Sequence, residues 1–269
     1  MIFIETIMKI LLINPISSFK NLQKNRTGVA YPLGIGYIGA YLFESGHDVK
    51  ILDNNQQCLS KEEIVDYLID YMPDAVGIGA MVNSYNQVQQ LARLIKETIN
   101  VPVVLGGAMA TYCSKTVLEN MDIDVCVLGE GEEIAGELFE KWPNYNNIDG
   151  ISYLNDLGEF IENDPKVFSK TRSEYPYPGY DNLLDIEKYL RANLTSWETP
   201  FFHDKYMKEY RKKISPGTRI ASMVTGMGCP YKCTFCTNST HFMKTRVRSA
   251  DEVAKEVLYL KDKYNIEGV

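Results

Sequence analysis

Five short, almost continuously apolar runs, each followed by a longer amphipathic stretch, constrain the fold of this chain more than any other feature. The runs are KILLI at 9–13, DVKIL at 48–52, AVGIG at 75–79, VPVVL at 101–105 and VCVL at 125–128. Each is too short for a helix and too continuously apolar for a strand with one wet face, which predicts strands of a parallel sheet covered on both faces. The stretches at 33–45, 61–71, 85–98, 114–120 and 132–141 read as the covering helices. Such alternation predicts a three-layer, doubly wound α/β domain. At 269 residues, 45% hydrophobic and 23% charged, the chain has the composition of a soluble globular protein and length for about two domains. A formal net charge of −7 gives no electrostatic reason to expect nucleic acid as a partner.

Doubly wound sheets bind ligands beyond the carboxyl ends of their strands, where the strand order reverses. Those ends carry Asn14-Pro15, the segment from Gly79 to Ser84, Gly106-Gly107-Ala108 and Gly129-Glu130-Gly131-Glu132. Glycine at a strand end lets backbone approach a bulky ligand, or simply makes a tight turn. Glu130 and Glu132 also read as acids favoured at a helix start.

Taken in order, KILLINP (9–15), PLGIGY (32–37), GHDV (46–49), PDAVG (73–77), VLGG (104–107) and GEGE (129–132) resemble the cobalamin-binding-like domain that precedes the radical barrel in one large branch of the radical S-adenosylmethionine superfamily. The resemblance implies a Rossmann-like, five-stranded parallel-sheet domain over residues 8–145. It places corrin over Gly79, Ser84, Gly106, Gly107, Gly129 and Gly131. One departure stands out. Cobalamin domains of the methionine-synthase type carry Asp-x-His-x-x-Gly after the first strand, whereas Asn14 here is followed by Pro-Ile-Ser-Ser-Phe-Lys, and the first histidine is His47, at a helix-to-strand turn. Cobalamin then binds without a protein histidine, or the domain keeps the fold alone.

The run Gly228-Cys229-Pro230-Tyr231-Lys232-Cys233-Thr234-Phe235-Cys236 holds three of the six cysteines at C-x3-C-x2-C spacing. Three thiolates on one wrapped loop can converge on a centre, and soft sulfur selects zinc, copper(I) or iron-sulfur clusters. Several readings are open. The cysteines fall at i, i+4 and i+7, one face of a helix, though Gly228 and Pro230 oppose a helix running through. Cys233-x2-Cys236-x4-His241 opens like a zinc knuckle with Cys229 as a fourth ligand, but the knuckle's last cysteine falls at Arg246. A disulfide needs an oxidising compartment, and residues 1–10 lack both the basic leader of a signal peptide and the length of a membrane span. A cytoplasmic, reducing location follows, with Cys58, Cys113 and Cys126 unpaired and Cys126 buried.

With Phe235 before the last cysteine, the run is similar to the C-x3-C-x-aromatic-C signature of the radical S-adenosylmethionine superfamily. The resemblance implies that Cys229, Cys233 and Cys236 ligate a [4Fe-4S] cluster whose open iron takes S-adenosylmethionine, with Phe235 against the adenine. It implies one-electron cleavage to methionine and a 5′-deoxyadenosyl radical, possible use of cobalamin for methyl transfer or rearrangement, a small-molecule or peptide substrate, and an electron donor such as a flavodoxin or ferredoxin.

Residues 146–217 read as a connection. It comprises a hairpin around Asn155-Asp-Leu-Gly158, a rigid aromatic linker YPYPGY at 175–180, a weak helix to 190 and a solvated basic run at 205–213. Over 218–269 a strand at 219–225 leads into the cysteine loop, and Ser249-x-x-Glu252 caps a helix with an apolar face of Val253, Val257, Leu258, Leu260 and Tyr264. A further strand begins at 265. The resemblance makes this the first β/α unit of an incomplete radical S-adenosylmethionine barrel, as of a truncated chain, with its true start at Met1 or Met8.

Overall fold

The computed structural model describes residues 7–16, 29–168, 170–190, 217–237 and 245–269. The basic run at 205–213 lies outside them. Each expected apolar run is a strand: β1 (Lys9–Asn14), β2 (Asp48–Asp53), β3 (Ala75–Gly79), β4 (Val103–Gly106) and β5 (Val125–Val127). The helices between them are α1 (Leu33–Glu44), the short α2 (Asn54–Gln57), α3 (Lys61–Tyr71), α4 (Tyr85–Thr98), α5 (Ala108–Asn120) and α6 (Glu132–Lys141). Pairing among the five strands is parallel throughout.

The hairpin read in the connecting segment forms β6 (Ile151–Leu154) and β7 (Phe160–Glu162). Its strands pair antiparallel, β6 on β5 and β7 on β6, so the five-stranded parallel sheet continues into seven strands in the order β2-β1-β3-β4-β5-β6-β7. β4 starts two residues later than its apolar run because Pro102 has no N–H for the ladder, although its carbonyl accepts from Val76 N at 2.9 Å. α5 starts at Ala108 rather than at residue 114, and a break at Cys113 (φ −132°) hides its first half from a helical periodicity.

Alternation along each strand feeds two cores. Leu11 and Ile13 pack with Leu68, Val88, Ile95 and Val117 of α3, α4 and α5; Ile10 and Leu12 pack with Ile35, Leu42, Ile134 and Leu138 of α1 and α6. The chain leaves β1 first for β2 on one side, then returns to β3 on the other, so strand order reverses at β1 and a crevice opens there.

In the second half the stretch expected as a strand at 219–225 forms, among the described residues, a parallel bridge from Ile220 to Gly268, and its far end is held by Arg248, whose backbone N donates to Thr225 O at 2.9 Å. The residues that follow form β8 (Gly226–Met227), paired antiparallel with β9 (Arg246–Val247). Then comes α7 (Ala250–Tyr264), where Ser249 Oγ accepts from Glu252 N at 3.2 Å. The aromatic linker is the join between the two halves. Tyr31 sets its ring edge on against Tyr180 and Tyr189, at 5.2 Å in each case, in a third core with Leu190, Ala221, Leu260 and Ile266. Tyr180 Oη donates to Glu256 Oε1 (3.0 Å) and Ser222 O (3.1 Å), and Glu256 is also paired with Arg248, both side chains buried. The expected helix before residue 190 is one 3-10 turn, Ile186–Lys188.

A further link ends in the sheet. Asp53, fully buried at the carboxyl end of β2, accepts from Tyr189 Oη (2.8 Å), Asn14 Nδ2 (2.7 Å) and Asn55 N (3.1 Å). Burial raises its pKa above the ordinary carboxylate value, and these hydrogen bonds offset that only in part. A carboxyl with a raised folded pKa binds its proton more tightly in the native state. Its contribution is therefore fully present below the unfolded pKa and declines as pH rises through the folded one. Thermal melts of wild type and Asp53→Asn between about pH 4 and 7 are expected to shift progressively in favour of the variant as pH rises. A pH-independent difference would show that Asp53 does not titrate in that range.

Candidate functional site: a glycine-floored cleft beside the cysteine loop

A cleft of about 640 Å³ lies over the carboxyl ends of β1, β3, β4 and β5. All six glycine and serine positions expected around a corrin line it: Gly79, Ser84, Gly106, Gly107, Gly129 and Gly131. Gly79 and Gly106 are register partners on β3 and β4 and form a flat piece of floor. A Cβ on Gly106 would find its nearest atom at 4.0 Å and one on Gly79 at 3.6 Å, so the protein's own packing does not require glycine at either. At Gly107 it does. Its φ is +83°, and a Cβ would come within 2.7 Å of Ala80 O.

The walls are apolar, from Leu12, Leu33, Ile35, Ile38 and Phe139, with Asn14 and Asn55 on the sheet side. No side chain caps the first turn of α1, α4, α5 or α6, whereas α3 has a capping box of Ser60 and Glu63. The uncapped turns leave backbone N–H groups beside the cleft. His47 is not near them. It precedes β2, at the amino ends of the strands, and its Nδ1 accepts from Met8 N at 3.3 Å.

Glu130, read from sequence as a helix-start acid, does something else. Its side chain is 5% exposed and is paired with Arg246 Nη2 from β9, and Phe168 lies 5.7 Å from that guanidinium. Glu130 lines the cleft, and so does Met227, the register partner of Arg246 on β8. Sequence reasoning gave no signal for this pair, nor for Asp53 with Tyr189.

Met227 leads directly into the cysteine loop. Gly228 has φ +80°, and Cys236 N donates to Cys233 O at 3.0 Å, closing a turn. Cys233 is exposed and Cys229 and Cys236 are half-buried. Among the described residues no three His, Cys, Asp or Glu side chains are grouped for a metal ion. The loop therefore carries its donors without gathering them, as in sites where metal binding itself organises the ligands. Three thiolates on one short loop fit an iron-sulfur cluster with an open iron in donor chemistry. Phe235 is 90% exposed, and His241, the zinc reading's other ligand, is outside the described residues. Among the described residues no helix is long and apolar enough to cross a membrane.

Comparison with known proteins gives this arrangement its context. Residues 22–139 match the B12-binding-domain family. The chain is 31% identical to a cytidylyl-2-hydroxyethylphosphonate methyltransferase of Streptomyces wedmorensis, over 96% of this chain and 53% of that protein. It is 30% identical to an uncharacterised methyltransferase of Pyrococcus horikoshii, over 98% and 52%. The chain thus spans about half the length of these curated relatives. In structure it is similar to the radical S-adenosylmethionine methyltransferase TsrM from Kitasatospora setae, with a TM-score of 0.68 at 18% identity over 97% of this chain and 46% of that one. The cobalamin-dependent S-adenosylmethionine radical enzyme OxsB gives a TM-score of 0.68 at 19% identity, over 97% and 33%. Residues 22–139 thus belong to the B12-binding-domain family, and over its length the chain is similar to methyltransferases and shares its fold with cobalamin-dependent S-adenosylmethionine radical enzymes.

Proposed function

We propose that this chain binds cobalamin in the glycine-floored cleft and a [4Fe-4S] cluster on Cys229, Cys233 and Cys236, and that it serves S-adenosylmethionine-dependent methyl transfer to an unactivated centre of a small molecule or peptide. The observation that carries this reading is Met227, which lines the cleft and stands two residues before Cys229. It puts the seat for one cofactor and the ligand loop for the other side by side. The methyltransferase relatives support the reaction class.

When bound, cobalamin supplies a cobalt centre able to carry a methyl group, and the cluster supplies the electron that activates S-adenosylmethionine. The chain's own part is positioning. Gly79 and Gly106 give a planar ligand a floor without side chains, and Leu33, Ile35 and Ile38 present apolar wall that keeps water from it. Asp53 fixes the Asn14 amide at the sheet edge of the cleft, and no histidine is among the described residues that line it. The cysteine loop would supply three soft ligands to a cluster, whose remaining iron would be left to S-adenosylmethionine. An electron donor such as a flavodoxin or ferredoxin completes the cycle.

The test is a titration of the 269-residue chain with hydroxocobalamin, followed by absorbance, before and after anaerobic reconstitution with iron and sulfide. Saturable binding with the spectrum of a corrin lacking a histidine ligand, and a brown iron-bearing protein after reconstitution, are expected. A chain that leaves hydroxocobalamin free at high micromolar concentration would refute the cleft assignment.

A further inference from the structure

Among the described residues that line the cleft, Met227 alone comes from the half of the chain that carries the cysteines; the others all lie between Leu12 and Phe139. Its backbone is pinned on both sides. Met227 pairs with Arg246 across β8 and β9, and Arg246 is tied by a buried ion pair to Glu130, in the Gly129-Glu130-Gly131 turn that follows β5. On its other side Gly228, at φ +80°, turns the chain into the cysteine loop. The Met227 side chain is half-buried, so it has surface left to meet a ligand. A flat ligand resting on the floor of Gly79 and Gly106 turns its other face away from the strands, toward the second half, and Met227 is what that half presents to the cleft.

We propose that Met227 is a specificity-determining residue of the cleft: it bounds the space over the corrin face turned toward the cysteine loop, admitting a cobalamin with a small axial ligand on cobalt, water or methyl, and opposing one with a bulky nucleoside there. The inference rests on the cobalamin reading above and deepens it. A methionine side chain is unbranched and polarizable, so it can settle against a methyl group and gain apolar contact. A 5′-deoxyadenosyl group is far larger than that space allows the thioether to yield by rotation alone. Relief would require β8 to move, and the pairing with Arg246 and the Arg246–Glu130 ion pair hold β8 in place. Forcing extra volume into a site whose backbone cannot retreat lowers affinity by roughly tenfold to a hundredfold. The same restriction keeps the passage between cleft and cysteine loop clear for the reacting groups.

The experiment titrates the full chain in the dark with hydroxocobalamin, methylcobalamin and adenosylcobalamin, three corrins that differ only in the axial ligand, and follows absorbance. Wild type should bind the first two with similar affinity and adenosylcobalamin at least tenfold more weakly. Met227→Ala should narrow that gap, with adenosylcobalamin gaining on methylcobalamin, and Met227→Phe should widen it. Met227→Leu, close to methionine in volume, should keep the wild-type ratio. A merely structural role for Met227 would weaken all three corrins together and leave their ratios unchanged. Should Met227→Ala fail to fold, Met227→Phe against Met227→Leu decides by the same ratio. Equal affinity of wild type for methylcobalamin and adenosylcobalamin, or ratios that do not change in the Ala and Phe variants, would overturn the Met227 assignment and leave the cleft reading intact. Failure of wild type to bind any corrin would overturn both.

Discussion

Cys233→Ser is expected to leave the anaerobically reconstituted protein without stoichiometric iron and sulfide, and Cys229→Ser and Cys236→Ser should do the same. Each removes one of only three sulfur ligands on the loop, and a serine hydroxyl does not replace a soft thiolate at iron. The other three cysteines are controls with a physical reason behind them. Cys126 is fully buried in β5, and burial pushes its thiol up to about 12, so it offers no thiolate at neutral pH. Cys58 is buried where α2 ends, with its Sγ 3.8 Å from Asn55 O, and Cys113 is half-buried at the break in α5. Serine at 58, 113 or 126 should therefore keep full iron loading. Iron, sulfide and zinc assays on all six variants decide the matter. Zinc at one equivalent without sulfide in wild type would make the loop a zinc module, and iron lost from Cys126→Ser but kept by Cys233→Ser would overturn the ligand assignment.

Gly106→Val should lower corrin affinity by two orders of magnitude or more, on the order of 3 kcal/mol, while leaving the fold intact. Both halves of the expectation come from one position. Gly106 is in a strand, where valine is favoured, and a Cβ there meets no protein atom closer than 4.0 Å. The added isopropyl group would instead stand up from the floor that Gly79 and Gly106 keep flat, and hold a planar ligand off it. Gly107→Val makes the contrast: with φ +83° and Ala80 O only 2.7 Å from its Cβ position, it should lose stability as well as binding. Thermal melts and hydroxocobalamin titrations of the two variants side by side separate the effects. Tight corrin binding by a folded Gly106→Val protein would mean that the ligand does not rest on this floor.

These results bear on how the site is divided between local and long-range causes. The five parallel strands, their glycine-rich carboxyl ends and the cysteine loop were legible from sequence, because each is written in neighbouring residues: an apolar run of strand length, a glycine after it, three thiols within one loop. The absence of a histidine after β1 was equally legible, and the structure adds that His47 lies at the amino ends of the strands, away from the cleft. Only tertiary structure decided that the hairpin at 151–162 would extend the sheet. Either of its faces could have been turned to the core, and the open edge of β5 made the choice. The same holds for the contacts that join the halves. Glu130 and Arg246 are 116 positions apart, and Asp53 and Tyr189 are 136 apart. No periodicity links such residues, since their pairing follows from where whole elements dock. Read locally, Glu130 is a helix-start acid and Arg246 a charge in a polar segment. In the fold, burial of both side chains makes each the other's counter-ion at the edge of the cleft, and burial is a property of the assembled protein that no short window of sequence contains.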